Sequence, residues 1–226
     1  MCGRYSLTLP AESVRRLFDY DGRPNLQPRY NVAPTDEMPV VRLARGGARE
    51  LATMRWGLIP RWAEDIKFGA KAINARAETV ADKPAFREAF RERRCLVAAD
   101  GFYEWRKEGA LRRPFRIARR DGEPFAFAGL WERFTLRDSG TIVSFTIITT
   151  EANALLRPLH GRMPVMLQTA DHDGWLDPQA GAPSLHALLR PFPDAELTYF
   201  EVGPRVNKVA NDDPSLIEPV ADARLI

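Results

Sequence analysis

The stretch FAFAGLWERFTLRDSGTIVSFTIIT, residues 125–149, indicates how this chain folds. Its two ends, 125–130 and 141–149, are rich in apolar, aromatic and β-branched residues, which is typical of strands. The same pattern predicts further strands at residues 95–98, 115–118, 163–167 and 197–202. Several of these strands follow one another without a crossover helix. This order favours antiparallel or mixed pairing, and it predicts an α+β domain whose mixed, largely antiparallel sheets form a barrel-like core.

Short helices are predicted to flank this core. Residues 11–18 follow Pro10 and read as a helix, and a second helix opens at residues 82–84, with Phe86 and Phe90 four apart on one face. A third helix is predicted over residues 151–156, ended by Pro158. No repeat, linker or change of composition divides the 226 residues, so the sequence predicts one domain spanning 1–226.

Composition narrows the class of protein. Hydrophobic residues make up 45% of the chain and charged residues 28%, which is typical of a globular protein. No apolar run approaches the length of a membrane span, and the N-terminus lacks the apolar stretch of a signal peptide. The two cysteines, Cys2 and Cys95, give no disulfide framework, so we expect a cytoplasmic protein without a membrane partner.

The sequence offers little support for a metal or a cofactor. Three scattered histidines without a Cys-x-x-Cys pair argue against a structural zinc site. Neither a Gly-x-Gly-x-x-Gly pattern nor a phosphate-binding loop is found, so we expect no nucleotide cofactor. The predicted chemistry therefore depends on the side chains and on the N-terminus of the chain itself.

Positive charge is concentrated in one part of the chain. The net charge is only +3, but ten cations crowd into about thirty positions: Arg91, Arg93, Arg94, Arg106, Lys107, Arg112, Arg113, Arg116, Arg119 and Arg120. Such clustering suits a polyanion, which binds by releasing counterions. A solvated arginine-rich face explains the stretch equally well.

Cys2 is the most reactive residue that the sequence offers, because it follows the initiator methionine. Removal of Met1 would leave a cysteine with a free α-amine beside its thiol. An α-amine titrates near pH ~8, so an appreciable fraction is neutral and nucleophilic at neutral pH. The thiol is a strong nucleophile. Together they can attack one carbonyl carbon twice, first forming an imine and then a five-membered thiazolidine ring. The alternative is an ordinary residue at the start of a strand.

Three further places carry polar residues suited to chemistry. Asn74, Arg76 and Glu78 alternate and would share one face of an extended segment. The asparagine could orient a substrate, while Arg76 and Glu78 could pair or bind phosphate; a solvent-facing polar row is the alternative.

Glu104 lies between two aromatic residues directly after an apolar strand, where desolvation would raise its pKa toward a value useful in acid/base catalysis. His160 stands before a glycine and can exchange protons near neutral pH. Either residue could instead be structural. The segment RWGLIPRW, residues 55–62, interleaves cations and indoles, a composition that suits single-stranded nucleic acid. Its two tryptophans are equally compatible with a core.

These segments, taken together and in order, resemble the SRAP domain family of abasic-site processing proteins. The similarity extends over nearly the whole chain. The motifs that carry it are MCGR at 1–4, YNVAPT at 30–35, RWGLIP at 55–60, NAR at 74–76, RCLV at 94–97 with DGFYEW at 100–105, and HGRMPV at 160–165. One departure is Ala99, where the family more often has proline.

The resemblance implies that the protein cross-links covalently to abasic sites in single-stranded DNA, which it binds in a basic groove. It also implies a monomer that acts on the nucleoid during the SOS response to DNA damage. By motif, the covalent residue is Cys2 after removal of Met1, Asn74 positions the opened sugar, Glu104 is the acid/base and His160 assists proton transfer. It also implies DNA contacts by Arg4, Pro34, Trp56, Arg76 and Arg162.

Other activities fit the same N-terminus. An imine would permit strand cleavage by β-elimination, so abasic-site lyase activity is a side reaction to expect. Autoproteolytic removal of Met1 is another, and peptidase activity beyond Met1 is an alternative function. An N-terminal-nucleophile amidohydrolase also begins with Met-Cys-Gly, although nothing after Gly3 supports that class and the chain has no Asn-Gly pair for an oxyanion site. Finally, the domain could bind single strands with Cys2 incidental.

Overall fold

The computed structural model describes residues 2–20, 22, 25–136 and 140–221. Its strands, in chain order, are β1 Tyr5–Leu7, β2 Arg29–Val32, β3 Glu37–Leu43, β4 Arg49–Trp56, β5 Asn74–Arg76, β6 Arg94–Ala99, β7 Gly101–Glu108, β8 Leu111–Arg119, β9 Phe125–Leu136, β10 Gly140–Glu151, β11 Arg162–Pro164, β12 Met166–Leu167 and β13 Leu197–Glu201. The α-helices are α1 Ala11–Phe18, α2 Arg87–Glu92, α3 His172–Leu176 and α4 Ala182–Ala187.

Five strands close into a mixed barrel. Around the ring β4 pairs with β3, β3 with β6, β6 with β9 and β9 with β10, all antiparallel, and the parallel pair of β10 with β4 closes it. At this closure Phe145 lies opposite Trp56. The short strands β5, β11 and β12 extend the barrel wall. This arrangement confirms the α+β class with a barrel-like core.

A second sheet packs beside the barrel. Its strand order is β13-β8-β7-β1-β2, with every pair antiparallel. An aromatic cluster joins the two layers: the ring of Tyr5 lies 5.2 Å from Trp56 and 6.0 Å from Phe127, both edge-on. Such edge-to-face contacts add to the energy of apolar burial. The second sheet therefore holds the N-terminal strand firmly against the barrel.

The predicted strands that began the analysis are all present, and most are longer than predicted. The stretch 125–149 forms the β9–β10 hairpin, with Phe145 opposite Trp131, although residues 137–139 lie outside the described part of the chain. Strand β6 is buried at every position, as a barrel strand between two neighbours should be. The predicted strand at 163–167 is divided into β11 and β12.

The helix predictions are partly right. Helix α1 has the predicted limits, and Phe86 and Phe90 are both buried, although the regular part of α2 begins only at Arg87. The helix predicted over 151–156 is wrong. Glu151 ends β10, and the Asn153 side chain accepts the Leu156 N–H at 3.0 Å, which forms a turn instead. None of the helices in the described residues is long and apolar enough to cross a membrane.

One buried histidine gives the fold a measurable pH dependence. His172, at the start of α3, is buried and stacks on Phe18 with ring centroids 5.5 Å apart and an angle of 11° between the planes. Burial, together with the positive charge of Arg49, lowers the pKa of His172 from 6.5 to about 4. The side chain is therefore neutral in the folded protein at pH 5 to 6.

We expect the free energy of unfolding to decrease as the pH falls from 6.5 toward 4. In this window the unfolded chain gains a proton at His172 that the folded protein does not bind, which costs about 1.4 kcal/mol per pH unit. Urea unfolding at pH 6.5, 5.5 and 4.5 measures the slope. His172→Leu should reduce it, whereas His186→Leu, at an exposed position, should leave it unchanged. An unchanged slope in the His172 variant would contradict the assignment.

Candidate active site at the N-terminal cysteine

The pairing of β1 with β7 determines where the N-terminus lies. Tyr5 stands opposite Phe102 in an antiparallel register, and the ladder continues outward because the Tyr103 N–H donates to the Arg4 carbonyl at 3.0 Å. In this direction the residues before Arg4 approach Glu104. Met1 lies outside the described residues, so its removal stays a prediction.

The thiol of Cys2 is buried and protonated. The side chain has no exposed surface, and its sulfur lies 3.9 Å from the carbonyl oxygen of Arg4, a weak hydrogen bond. Burial raises the pKa of the Cys2 thiol far above its ordinary value, and the negative charge of Glu104 raises it further. Cys2 in this structure is therefore a thiol at neutral pH, and it needs a proton acceptor before it can react as a thiolate.

Asn74 holds the backbone of Cys2. It begins β5, opposite Ile147 of β10, and its Nδ2 donates to the carbonyl oxygen of Cys2 at 2.8 Å. Its Oδ1 is buried and accepts no hydrogen bond from the described residues. A buried acceptor without a donor is unfavourable, so Asn74 Oδ1 is suited to a donor that arrives with a substrate.

Glu104 lies within electrostatic reach of Cys2 on the neighbouring strand. It is buried on β7 opposite Phe115 of β8. The aromatic residues on either side are both fixed by hydrogen bonds: Tyr103 Oη donates to the Tyr30 carbonyl at 2.7 Å, and Trp105 Nε1 donates to Asn207 Oδ1 at 2.8 Å. The strand is therefore fixed directly before and directly after the glutamate.

His160 and Arg162 lie on the opposite edge of β10 from β5. The Arg162 N–H donates to His160 Nδ1 at 3.0 Å, which leaves the proton of the neutral imidazole on Nε2. The Arg162 side chain crosses β10, donates to the Thr149 carbonyl at 2.6 Å and forms a bidentate ion pair with Glu78. Burial opposes ionisation of Glu78, but the hydrogen bonds and the charge of Arg162, with a backbone hydrogen bond and the charge of Arg76, together hold the pKa of Glu78 below its ordinary value.

The other predicted DNA contacts differ in exposure. Arg76 is exposed at the end of β5, opposite Thr149, where it is available to an anion. Pro34 is partly exposed. The guanidinium of Arg4 already donates to Asn31 Oδ1 and to the Val206 carbonyl, each at 2.8 Å, so in this structure it ties the N-terminal segment to the rest of the chain.

Trp56 belongs to the core. Its side chain has no exposed surface, its ring lies parallel to Phe145 with centroids 6.4 Å apart, and its Nε1 donates to the Ile73 carbonyl at 2.9 Å. This burial contradicts direct contact between the Trp56 indole and DNA. Gly57, the next residue of the motif at 55–60, has a structural role as well. Its φ is +119°, and a Cβ there would lie 2.6 Å from the Gly69 carbonyl oxygen.

Many cations of the stretch 91–120 have acidic partners. The ion pairs are Arg93 with Glu132, Arg106 with Glu108, Arg113 with Glu201, Arg116 with Asp100, and Arg119 with Asp121. Arginines that are already paired contribute little to binding a polyanion, so the stretch is better described as an ion-paired arginine-rich surface than as a continuous basic groove.

Two residues near the site were not predicted from the sequence. Asn31 accepts from Arg4 and donates through Nδ2 to the carbonyls of Lys208 and Asn211, at 3.0 and 2.8 Å, which joins the N-terminal segment to residues 206–211. Thr149 binds both Arg162 and the Ala75 carbonyl. Asn31 lies within the motif at 30–35, but nothing in the sequence around Thr149 distinguishes it from its neighbours.

The fold and the site define a class of protein. The fold is a closed mixed barrel with a second antiparallel sheet. In the site, an asparagine holds a buried cysteine at position 2, and a glutamate lies within electrostatic reach of that cysteine. The chain belongs to the SRAP family, SOS response associated peptidase, whose model matches residues 1–209.

Individual relatives extend over the same length. Abasic site processing protein YoqW of Bacillus subtilis is 38% identical over 223 residues, covering 96% of this chain and 99% of its own. Abasic site processing protein YedK of Escherichia coli is 30% identical over 231 residues, covering 97% of this chain and all of its own. A crystal structure of a protein from Bacteroides thetaiotaomicron, 28% identical, superimposes with a TM-score of 0.88 over 96% of this chain and 99% of that one.

Proposed function

We propose that this protein captures abasic sites in single-stranded DNA as a covalent thiazolidine adduct at Cys2, after loss of Met1. The observation that carries the proposal is the position of Cys2. Its carbonyl accepts a hydrogen bond from Asn74, and the charge of Glu104 raises the pKa of its thiol. Relatives at 38% and 30% identity are named abasic site processing proteins, which supports DNA damage repair as the setting.

The adduct forms from an aldehyde and two nucleophiles. The opened deoxyribose presents an aldehyde carbon, which the neutral α-amine of Cys2 attacks to give a carbinolamine. A proton from a side chain converts the hydroxyl into water, which leaves as the imine forms. The thiol sulfur then bonds to the imine carbon while the nitrogen takes up a proton. The net change is amine, thiol and aldehyde giving a thiazolidine and one water.

The protonated state of Cys2 favours the amine as the first nucleophile. Because burial raises the pKa of the thiol, a thiolate is scarce before the substrate binds. Glu104 is the proton carrier in this proposal: as a carboxylate it takes a proton from the amine nitrogen and passes it to the leaving hydroxyl, and it then takes the proton of the thiol and passes it to the imine nitrogen as the ring closes. The carboxyl group of Glu104 thereby serves both imine formation and ring closure, and it returns to its starting state after each step.

Asn74 and His160 complete the proposed machinery. The unpartnered Oδ1 of Asn74 is placed to accept from the amine or from a sugar hydroxyl, while its Nδ2 keeps Cys2 in position. His160, with its proton on Nε2, assists the proton transfer that opens the sugar ring. In this proposal one chain supplies all of these roles and acts as a monomer.

On the DNA, the exposed Arg76 and the partly exposed Pro34 are the proposed contacts. Arg162 would reach a phosphate only by sharing its bonds to Thr149 and Glu78. Arg4 contributes by holding the N-terminal segment, with any phosphate contact made by the remaining N–H groups of its guanidinium.

Two further reactions belong to the same site. The name of the family, SOS response associated peptidase, supports self-removal of Met1, in which the peptide bond before Cys2 is hydrolysed to expose the α-amine. An imine that escapes ring closure would permit β-elimination, so we propose residual lyase activity. The setting would be chromosomal DNA in the cytoplasm during the SOS response.

The proposal is tested with two single strands that differ at one sugar. One carries an abasic site made by excising uracil, and the other carries a tetrahydrofuran abasic analogue, which has no aldehyde. A slower band on a denaturing gel should form with the first strand only. Capping the aldehyde with methoxyamine should prevent it. A stable band with the tetrahydrofuran strand, or no band with either, would rule the proposal out.

A further inference from the structure

A cavity of about 400 Å³ opens on the outside of the barrel, between the β3–β4 hairpin and β9. None of its lining residues belongs to the candidate site at Cys2. Five of these residues are arginines, namely Arg42, Arg45, Arg61, Arg93 and Arg133, and the acidic residue among them is Glu50. The lining is therefore strongly cationic, in contrast to a chain with a net charge of only +3.

Carboxylates form ion pairs with three of these arginines, namely Arg42, Arg61 and Arg93. Arg42 Nε donates to Glu50 at 2.7 Å. Arg61 and Arg93 each donate at 2.9 Å to different oxygens of Glu132, which is buried. Arg93 also pairs with the exposed ends of Glu88 and Glu92, both at 2.9 Å. The ion pairs fix these guanidinium groups in place, so the cavity wall is rigid.

Other donors of the cavity have no acceptor among the residues that the structure describes. Arg45 and Arg133 are exposed, and neither forms an ion pair with a described residue. Arg93 is only 6% exposed, yet within the described ranges its Nε has no hydrogen-bond partner. This Nε has almost no exposed surface, so the donors that a ligand in the cavity can reach are those of Arg45 and Arg133.

An indole forms part of the same wall. The guanidinium of Arg42 lies 4.3 Å from the ring centre of Trp131, a cation–π contact. The backbone N–H of Trp131 donates to the Arg93 carbonyl at 2.9 Å, which ties the indole to the buried arginine. Fixed arginines beside a partly exposed indole are the combination that binds phosphates and stacks bases in single strands.

We propose that this cavity is a second binding site, which takes the phosphate group of a nucleotide or of a nucleic-acid strand. Arg45 and Arg133 donate to phosphate oxygens, and Trp131 with Arg42 offers a flat surface to an adjoining base. The site is noncovalent and needs no abasic sugar. It would let the protein hold a strand at a point separate from Cys2.

The test follows the indole signals of the five tryptophans by two-dimensional ¹H–¹⁵N NMR, with Trp131→Phe to assign the signal of interest. The probe is a 5′-phosphorylated thymidine tetranucleotide without an abasic site, so failure of the cross-linking reaction would not affect the result. Inorganic phosphate is the second arm, and unphosphorylated thymidine is the negative control.

The tetranucleotide should shift the Trp131 signal to saturation. In the double variant Arg45→Ala/Arg133→Ala, affinity read from that signal should fall about tenfold, and the slope of log affinity against log salt should weaken by about 1.4. Arg112→Ala, which removes an exposed arginine from the other sheet, should bind as the wild type does.

The two arms identify the source of the phosphate. A shift with the tetranucleotide alone indicates a strand, and an equal shift with inorganic phosphate indicates a free phosphate ester or anion. Both outcomes support the site. A Trp131 signal that moves with neither probe would overturn the proposal, as would unchanged affinity in a double variant whose remaining spectrum is that of the folded wild type.

Discussion

Cys2→Ala should abolish heat-stable adducts on abasic single-stranded DNA. The variant keeps an α-amine after Met1 is removed, so an imine can still form, but without sulfur no ring can close. An imine hydrolyses, whereas the thiazolidine persists. The expected result is loss of the band that survives heating on a denaturing gel, together with a residual adduct that appears only when borohydride reduces the imine.

Cys95→Ala is the matched control, because Cys95 is the other buried cysteine and lies in β6, within the barrel. This variant should form heat-stable adducts as the wild type does. Binding of both variants to the tetrahydrofuran strand should equal that of the wild type, since the thiol is buried and contributes nothing to noncovalent contact. A heat-stable adduct from Cys2→Ala at wild-type yield would refute the ring-closure mechanism.

Glu104→Gln should slow cross-linking while leaving DNA binding intact. The amide has the size of the carboxyl group but cannot exchange the proton, and general acid/base catalysis is worth about 10²–10⁴ in rate. Quenched time points on a denaturing gel measure the rate. The variant should also lower the pKa of the Cys2 thiol, because the carboxylate charge raises that pKa in the wild type. Alkylation by iodoacetamide should therefore occur at a lower pH.

Glu108→Gln serves as the control on the same strand, where the carboxylate is exposed and pairs with Arg106 and Arg113. Exposed ion pairs contribute little, so this variant should cross-link at the wild-type rate. If Glu104→Gln weakened binding to the tetrahydrofuran strand as much as it slowed the reaction, Glu104 would be a structural residue and the proposed acid/base role would be wrong.

The barrel could be predicted because its central strands are apolar along their length. Strand β6 is buried at every position, β9 is buried over residues 125–130 and β10 over residues 144–150, and such runs are visible in the sequence. Strands β3, β4 and β7 were not predicted, because each contains several polar residues and is partly exposed along its length. The parallel closure of β10 on β4 joins segments about 90 positions apart, which no local pattern specifies.

Local sequence patterns also gave a wrong prediction where one side chain determined the backbone conformation. Residues 151–156 have a helical composition, but Asn153 bonds the Leu156 N–H and donates to the Phe192 carbonyl, so the segment turns at the end of β10. Trp56 shows the same limit for function: interleaved indoles and cations suggested a nucleic-acid surface, whereas the tertiary fold buries this indole against Phe145.

For the candidate site, the sequence supplied the residue types and the structure supplied their proximity. Cys2 and Asn74 are 72 positions apart and meet through one hydrogen bond. The contact depends on β5 pairing with β10 and on β1 pairing with β7, both of which are long-range. The cationic cavity beside Trp131 was not visible in sequence, since its arginines come from four separate segments.

The most direct test of the central claim is mass spectrometry of the N-terminal peptide after incubation with a uracil-excised single strand. The account predicts a peptide that begins at Cys2, without Met1, and carries the mass of the nuclease-trimmed sugar-phosphate less one water. Its thiol should also resist alkylation. A peptide that retains Met1 while the protein is cross-linked, or an adduct located elsewhere in the chain, would contradict the account.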